Sequence, residues 1–151
     1  MKKLLFALLL AFTLHIPALA TSDIPDTTEP KIPVNFEISN TDGYREIYGP
    51  GEQIAIHVAG KSPELLTIDP KSGFHVQAMI VSEKQSNPYA SVNGVFDDEK
   101  HAWLITFTVP NEASNSYHLV ISLYCAQAQG PCVQTYGQAA QIQKILPLQV
   151  R

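Results

Sequence analysis

The sequence is poor in positive charge and in long apolar runs, and each shortage removes a class of function. It holds 10 Lys and Arg against 14 Asp and Glu, a formal net charge of −4. Because nucleic acids and anionic membrane surfaces are bound through basic patches, neither is expected as a partner. The only long apolar run lies at the N-terminus, so no later segment is expected to insert into a membrane.

Catalytic and metal-binding patterns are also missing. No serine lies in a G-x-S-x-G motif, so the sequence gives no support for a serine hydrolase. His57, His75, His101 and His118 have no ligand spacing with one another, with cysteine or with a carboxylate cluster. We therefore expect no cofactor, while a copper or zinc site assembled only in the folded chain stays open. His57 and His118 alternate with apolar neighbours and are expected to face solvent.

The first twenty residues predict an export signal. Two lysines precede the apolar stretch 4–14, and 18–20 (ALA) form a small-x-small cleavage site. The stretch is too short to anchor the chain across about 30 Å of hydrocarbon, which takes about 20 residues. We expect cleavage near Ala20 and a location in the periplasm or outside the cell. Losing the two lysines takes the formal charge from −4 to −6.

The sequence after this signal predicts an extended Pro/Thr-rich leader over 21–33 and one domain over 34–151. The leader, TSDIPDTTEPKIP, has three prolines and few large apolar residues. The domain has short β-type runs between turn residues, with a turn or two of helix predicted only within 138–145. Seven or eight short strands separated by turns are typical of an antiparallel β-sandwich, and we predict an immunoglobulin-like one.

Alternation of apolar and polar residues locates the strands. It is clearest in FHVQAMIVS (74–82), WLITFTV (103–109) and YHLVISLYC (117–125). Cys125 has the parity of Leu123, so its side chain is expected to face the core. The last run contains Pro147, which predicts an edge strand. The other predicted strands are VNFEI (34–38), QIAIHV (53–58), LLTI (65–68), SVNGVF (91–96) and IQKILPLQV (142–150).

The chain has two cysteines, Cys125 and Cys132, and they are expected to form a disulfide in an oxidising compartment. Gly130-Pro131 predicts a turn, and a new strand near Val133 would place the bond between neighbouring strands. Spacing alone favours a structural staple, worth about 2.5 kcal/mol on the loop-entropy model. A redox role stays open, although the pair is not C-x-x-C and no basic residue lies within six positions of either cysteine.

Four segments stand in an order that points to a known family. They are GPGEQIAIHV (49–58), SGFHVQ (72–77), PYASVNGVF (88–96) and LYCAQAQGPC (123–132), followed by the apolar run ILPLQV (145–150). In this order and spacing they resemble the N-terminal periplasmic domain of DsbD-type thiol:disulfide interchange proteins. The cysteine loop is one residue longer than is usual in that family, and Pro88 stands where the family often has a shielding aromatic residue.

The resemblance implies an immunoglobulin-like fold and thiol:disulfide exchange. Cys125 and Cys132 would be the redox pair, Tyr89 would sit in a cap, and Phe74 and His75 would line the site. The partner would be a periplasmic thiol-disulfide protein or a membrane reductase. Of the two sulfurs, that of Cys132 beside the Gly-Pro turn is expected to be the more exposed.

A function of a different class is the alternative. An exported immunoglobulin-like domain can act as a binding module, through its loops or an exposed strand edge, with a purely structural disulfide. The two functions differ in how easily the bond between the cysteines is reduced.

Overall fold

The computed structural model describes residues 33–112, 115–127 and 129–151, and of Asn115 only the backbone. The predicted signal peptide and all but the last residue of the predicted leader lie outside this part. The elements in chain order are β1 (Glu37–Asp42), β2 (Ile47–Tyr48), β3 (Gln53–Lys61), β4 (Phe74–Ser82), β5 (Ala90–Asn93), β6 (Val95–Asp97), β7 (Ala102–Thr108), β8 (Asn115–Cys125), α1 (Pro131–Tyr136) and β9 (Gln141–Val150).

Two sheets form a sandwich. One has the strand order β1-β3-β7-β6, and the other has the order β2-β9-β8-β4-β5. Apart from the two-residue β2, which pairs in parallel with β9, these are the orders A-B-E-D and G-F-C-C′ of an immunoglobulin sandwich. The predicted all-β, immunoglobulin-like class is therefore confirmed.

The alternation of the strands builds the core between the sheets. Ile80, Leu119 and Ile121 of the five-stranded sheet face Ile56 and Ile105 of the other sheet, and all five side chains are buried. Full burial of one such side chain contributes roughly 1.5–3 kcal/mol. Because successive strand residues point to opposite faces, the same alternation sends every second side chain of each strand outward.

The secondary-structure predictions for 65–68, 91–96 and 138–145 are wrong. The segment 65–68 is part of a loop, in which Ile68 is buried and Leu66 packs against the core, while Leu65 is 93% exposed with a φ of 60°. The run 91–96 forms two strands in different sheets, with Gly94 between them. No helix lies within 138–145, where β9 begins, and helix α1 instead occupies Pro131–Tyr136.

The final strand behaves as Pro147 predicts. On the side away from β8, strand β9 is paired only through Gln149 and Val150, which meet the short β2. Over the rest of its length it is an edge strand among the described residues, so the missing N–H of proline interrupts no ladder there. No helix among these residues is long and apolar enough to cross a membrane.

Gly94 allows the chain to pass from one sheet to the other. Its N–H donates to the carbonyl of Val76 at 2.8 Å. A Cβ atom at this position would lie 3.3 Å from the Cβ atoms of both Trp103 and Val76. Neither is the end of a flexible side chain, so the contact cannot be relieved without moving a strand.

We expect Gly94→Val to lower the free energy of unfolding by about 1–3 kcal/mol, the usual cost of overpacking a core. Valine has the higher intrinsic preference for strands, so a loss can be assigned to the contacts with Trp103 and Val76. Urea unfolding measures the change. Gly49→Val is the matched control, since a Cβ there meets only the carboxylate end of Glu52, at 3.8 Å. Equal stability of the two variants would contradict the prediction.

Candidate functional site

The two cysteines are bonded at one end of the sandwich. Cys125 is the last residue of β8, Cys132 is the second residue of α1, and their Cα atoms are 5.6 Å apart. The predicted disulfide is thus present, and Cys125 faces the core as its parity predicts. The predicted strand near Val133 is wrong. Pro131 instead begins a helix, at the position where its missing N–H costs no hydrogen bond.

Both cysteines are shut off from solvent. Cys125 is 8% exposed and Cys132 is 0% exposed. The expectation that Cys132 is the more accessible residue is therefore wrong. The reason is the helix, in which Cys132 and Tyr136 are four positions apart and lie on the same inward face.

The turn DPKSG (69–73) covers the disulfide loop. The carbonyl of Ser72 accepts the N–H of Cys132 at 2.8 Å, and the carbonyl of Gly73 accepts the N–H of Ala126 at 2.9 Å. These two hydrogen bonds fix both sides of the cysteine loop to one turn. Pro, Asp, Ser and Gly are typical turn residues, so the segment DPKSG predicts the turn itself, but no local pattern predicts where the turn packs.

Gly73, the last residue of the turn 69–73, has a backbone conformation that the turn requires. Its φ of 87° lies in the left-handed region, which favours glycine. The turn is closed by the carboxylate of Asp69, which accepts the N–H of Ser72 at 2.7 Å. The side-chain amide of Gln127 donates to the carbonyl of Pro70 at 3.2 Å, so a side chain also joins the two loops.

Aromatic rings fill the core below the disulfide. Phe36 makes edge contacts with Phe74 and Tyr136, with ring centroids 5.2 Å and 4.9 Å apart. Phe74 is the register partner of Cys125, so it does lie next to the cysteine pair. It is completely buried, however, and packs behind the bond without presenting a surface to a partner.

Polar groups close the same end of the sandwich. The hydroxyl of Tyr136 donates to the carboxylate of Glu64 and also contacts the hydroxyl of Ser62. The other oxygen of Glu64 accepts from the amide of Asn35 at 3.0 Å. The hydrogen bond from Tyr136, followed by that from Asn35, holds the pKa of Glu64 below its usual value. Burial, reinforced by Glu64, raises the pKa of Tyr136.

His75 lies on the other face of the sheet from Phe74. Its ring centroid is 6.2 Å from that of Tyr124, on the neighbouring strand, and 5.7 Å from that of Trp103. Consecutive strand residues point to opposite faces, so His75 turns away from the disulfide. It therefore lines the outer surface of the sheet and not the cysteine pair.

Tyr89 lies near the opposite end of the sandwich. Its N–H donates to the carbonyl of Ile80 at 2.7 Å, and its ring lies 6.3 Å from that of Tyr117. At the rise of a strand, Ile80 is roughly 20 Å along β4 from the disulfide end. The structure does not bring Tyr89 together with the cysteines.

A second candidate region, which no sequence motif marks, lies on the outer face of the five-stranded sheet. No outward position of β4, β5, β8 or β9 in the described part carries Asp, Glu, Lys or Arg. A cleft of about 360 Å³ opens there. Its lining residues, here named the neutral face, are Gln77, Met79, Ser122, Tyr124, Gln141 and Gln143. Strand parity could have located all of them except Gln141, because the others are outward residues of predicted strands and Gln141 precedes the predicted strand 142–150.

Other clusters of chemically active side chains are sparse. Over 33–112, 115–127 and 129–151, no three His, Cys, Asp or Glu side chains form a metal-binding group. His118 contacts Glu83 at 3.1 Å and His57 contacts Lys100 at 3.1 Å, both at the surface.

No family model matches the chain, and no curated protein matches it. The resemblance to DsbD-type domains accordingly stays a prediction.

We expect Tyr136→Phe to raise the pKa of Glu64 toward its usual value, because the strongest hydrogen bond to the carboxylate is lost. A lowered carboxyl pKa contributes stability above the unfolded pKa, and that stability is lost as the pH falls through the folded pKa. The variant should therefore lose less stability on acidification than the parent protein. NMR titration of the Glu64 carboxyl carbon measures the pKa, and urea unfolding at about pH 3 and about pH 7 measures the stability.

Tyr124→Phe is the matched control for this experiment. It also removes one tyrosine hydroxyl, but from the outer face of the sheet, so the pKa of Glu64 should not change. A Glu64 pKa that is the same in Tyr136→Phe and in the parent protein would contradict the assignment.

Proposed function

We propose that this chain is an exported immunoglobulin-like binding module whose Cys125–Cys132 bond is structural. The observation that carries the proposal is the burial of both cysteines beneath the turn 69–73. Thiol–disulfide exchange requires a thiolate to reach a sulfur atom of the bond. Here that approach requires the turn to leave, with loss of its hydrogen bonds to Cys132 and Ala126.

The surroundings of the bond also favour a structural role. Phe74 is the register partner of Cys125, and Cys132 belongs to the same apolar core. Apolar surroundings raise the pKa of a thiol and reduce the share of reactive thiolate.

A binding role is supported by the outer face of the five-stranded sheet. Charged side chains are costly to desolvate, and interface centres are correspondingly depleted in them. The neutral face has no such groups, although the chain as a whole carries a formal charge of −4. It can therefore be covered by a ligand without burying an unpaired charge.

Thiol:disulfide exchange is the second candidate function. It is favoured by the order of segments that resembles a DsbD-type domain, and by the small exposure that Cys125 keeps. In this function a periplasmic thiol-disulfide protein or a membrane reductase would displace the turn 69–73. Its thiolate would bond to Cys125, and Cys132 would leave as the thiolate.

The reduction potential of the Cys125–Cys132 bond separates the two functions. We expect a value below about −300 mV, which is typical of structural disulfides. Equilibration with glutathione or dithiothreitol buffers, followed by alkylation of free thiols, measures it. A value above about −250 mV, together with a mixed disulfide between the Cys132→Ser variant and a partner, would favour exchange and contradict the structural role.

The stability conferred by the bond is a separate expectation. The double variant Cys125→Ala and Cys132→Ala should unfold with a free energy about 2–3 kcal/mol below that of the parent protein, from the entropy of the opened loop. Thermal and urea unfolding measure the difference. Reduction of the parent protein is the matched control, since it breaks the same bond without changing a residue. A negligible loss in both would contradict a structural staple.

A further inference from the structure

A row of uncharged hydrogen-bonding groups crosses the outer face of the five-stranded sheet. Gln77 of β4 is the register partner of Asn93 on β5 and of Ser122 on β8. Ser122 is in turn the partner of Gln143 on β9. Four neighbouring strands thus each contribute an amide or a hydroxyl at the same level of the sheet.

Less polar side chains flank this row on both sides. Toward the disulfide end lie Tyr124 and His75, whose rings are 6.2 Å apart. Toward the other end lie Met79 and Val120, which are register partners, and Ile145, which is the partner of Val120. The cleft of about 360 Å³ therefore offers the ring of Tyr124, a line of amides and the side chain of Met79. Val120 and Ile145 continue the apolar surface beside Met79.

The polar groups of the cleft retain hydrogen-bonding capacity. Gln143 donates its amide to the hydroxyl of Ser122 at 3.2 Å, and Gln77 donates to Ser91 at 3.3 Å. The carbonyl oxygens of these two amides accept no hydrogen bond from the described residues. The side-chain amide of Gln141 and the hydroxyl of Tyr124 are likewise without partners there. An amide and a hydroxyl can each both donate and accept.

The chemistry of the ligand follows from these groups. A charged ligand would lose its hydration without gaining an opposite charge, so the face disfavours it. A purely apolar ligand would leave the amides unpaired, which is also costly. A sugar fits both requirements, because its hydroxyls donate and accept around the ring edge while the ring face can lie on an aromatic side chain.

The size of the surface argues against a second copy of this chain as the occupant. The four strands β4, β5, β8 and β9 have 9, 4, 11 and 10 residues. At about 3.3 Å per residue and about 4.8 Å between strands, their outer face covers roughly 540 Å². A stable protein interface buries about 800 Å² on each partner. The cleft volume falls instead in the range of small-ligand sites, roughly 300–1,000 Å³.

We propose that the neutral face binds a neutral oligosaccharide, an inference that rests on the proposed binding function and specifies its ligand class. Tyr124 stacks on one sugar ring, and Gln77, Gln141 and Gln143 hydrogen-bond to its hydroxyls. Met79 contacts the apolar side of the next ring along the cleft.

The test is titration of the purified protein with four neutral hexasaccharides, namely cellohexaose, xylohexaose, maltohexaose and chitohexaose. NMR follows the backbone amides and the side-chain amides of glutamine. At least one hexasaccharide should bind saturably and shift the signals of Gln77, Gln141 and Gln143. Tyr124→Ala should weaken that binding by about tenfold, through loss of the ring contact, whereas Tyr124→Phe should retain most of the affinity.

Two further variants keep the result interpretable if Tyr124→Ala is poorly folded. Gln141→Ala changes an exposed side chain without a partner and should weaken binding by about fivefold. Gln53→Ala is the matched control, since it removes an exposed glutamine from the other sheet and should leave binding unchanged.

Three outcomes overturn the inference. The first is that none of the four hexasaccharides binds. The second is that the NMR signals shifted by a hexasaccharide belong to residues outside the neutral face. The third is that the protein sediments as a dimer and that substitutions in the neutral face dissociate it. The proposed structural disulfide is judged separately by its reduction potential. A low reduction potential without saccharide binding contradicts only the proposed ligand class. A high reduction potential with saccharide binding contradicts only the proposed structural role of the disulfide.

Discussion

The antiparallel pairing of β8 with β4 is the interaction on which both candidate regions depend. The register runs from Phe74 opposite Cys125 to Ser82 opposite Tyr117. Because side chains alternate, this register places Cys125 inside the core and Gln77 with Ser122 outside it. A shift of one residue would exchange the two sets, exposing the cysteine and burying the amides. The pattern of core residues therefore fixes the outer surface as well as the inner one.

The properties that depend on local alternation could be predicted from the sequence. The fold class and the inward direction of Cys125 both follow from period-two patterns, because a strand with one buried face places apolar side chains at every second position. Properties that depend on contacts between distant segments could not be predicted from the sequence. The turn 69–73 is evident in DPKSG, but its position over the cysteine loop is set by the pairing of β4 with β8. The resemblance predicts that Tyr89 lies in a cap near the cysteines, whereas the same pairing holds it near the other end of the sandwich.

The errors in secondary structure have two physical sources. Helix α1 has only six residues, too few for a helical period to appear, and the usable signal was Gly130 followed by Pro131 at a helix start. The segment 91–96 has β-type residues throughout, yet Gly94 marks the point where the chain leaves one sheet for the other. A glycine within a strand pattern indicates such a close backbone approach, although not its direction.

The disulfide and the neutral face meet at the end of β8, where Tyr124 and Cys125 are consecutive. The N–H of Cys125 donates to the carbonyl of Ala140 at 3.0 Å, and Tyr124 is the register partner of Gln141. The bond from Cys125 to Cys132 thus restrains the loop that joins β8 to β9 close to the point where the cleft begins. A side chain held in position before binding loses less conformational entropy when a ligand arrives. In the proposed binding function, the buried disulfide would therefore contribute to recognition by fixing Tyr124 and Gln141, with no need for the bond itself to react.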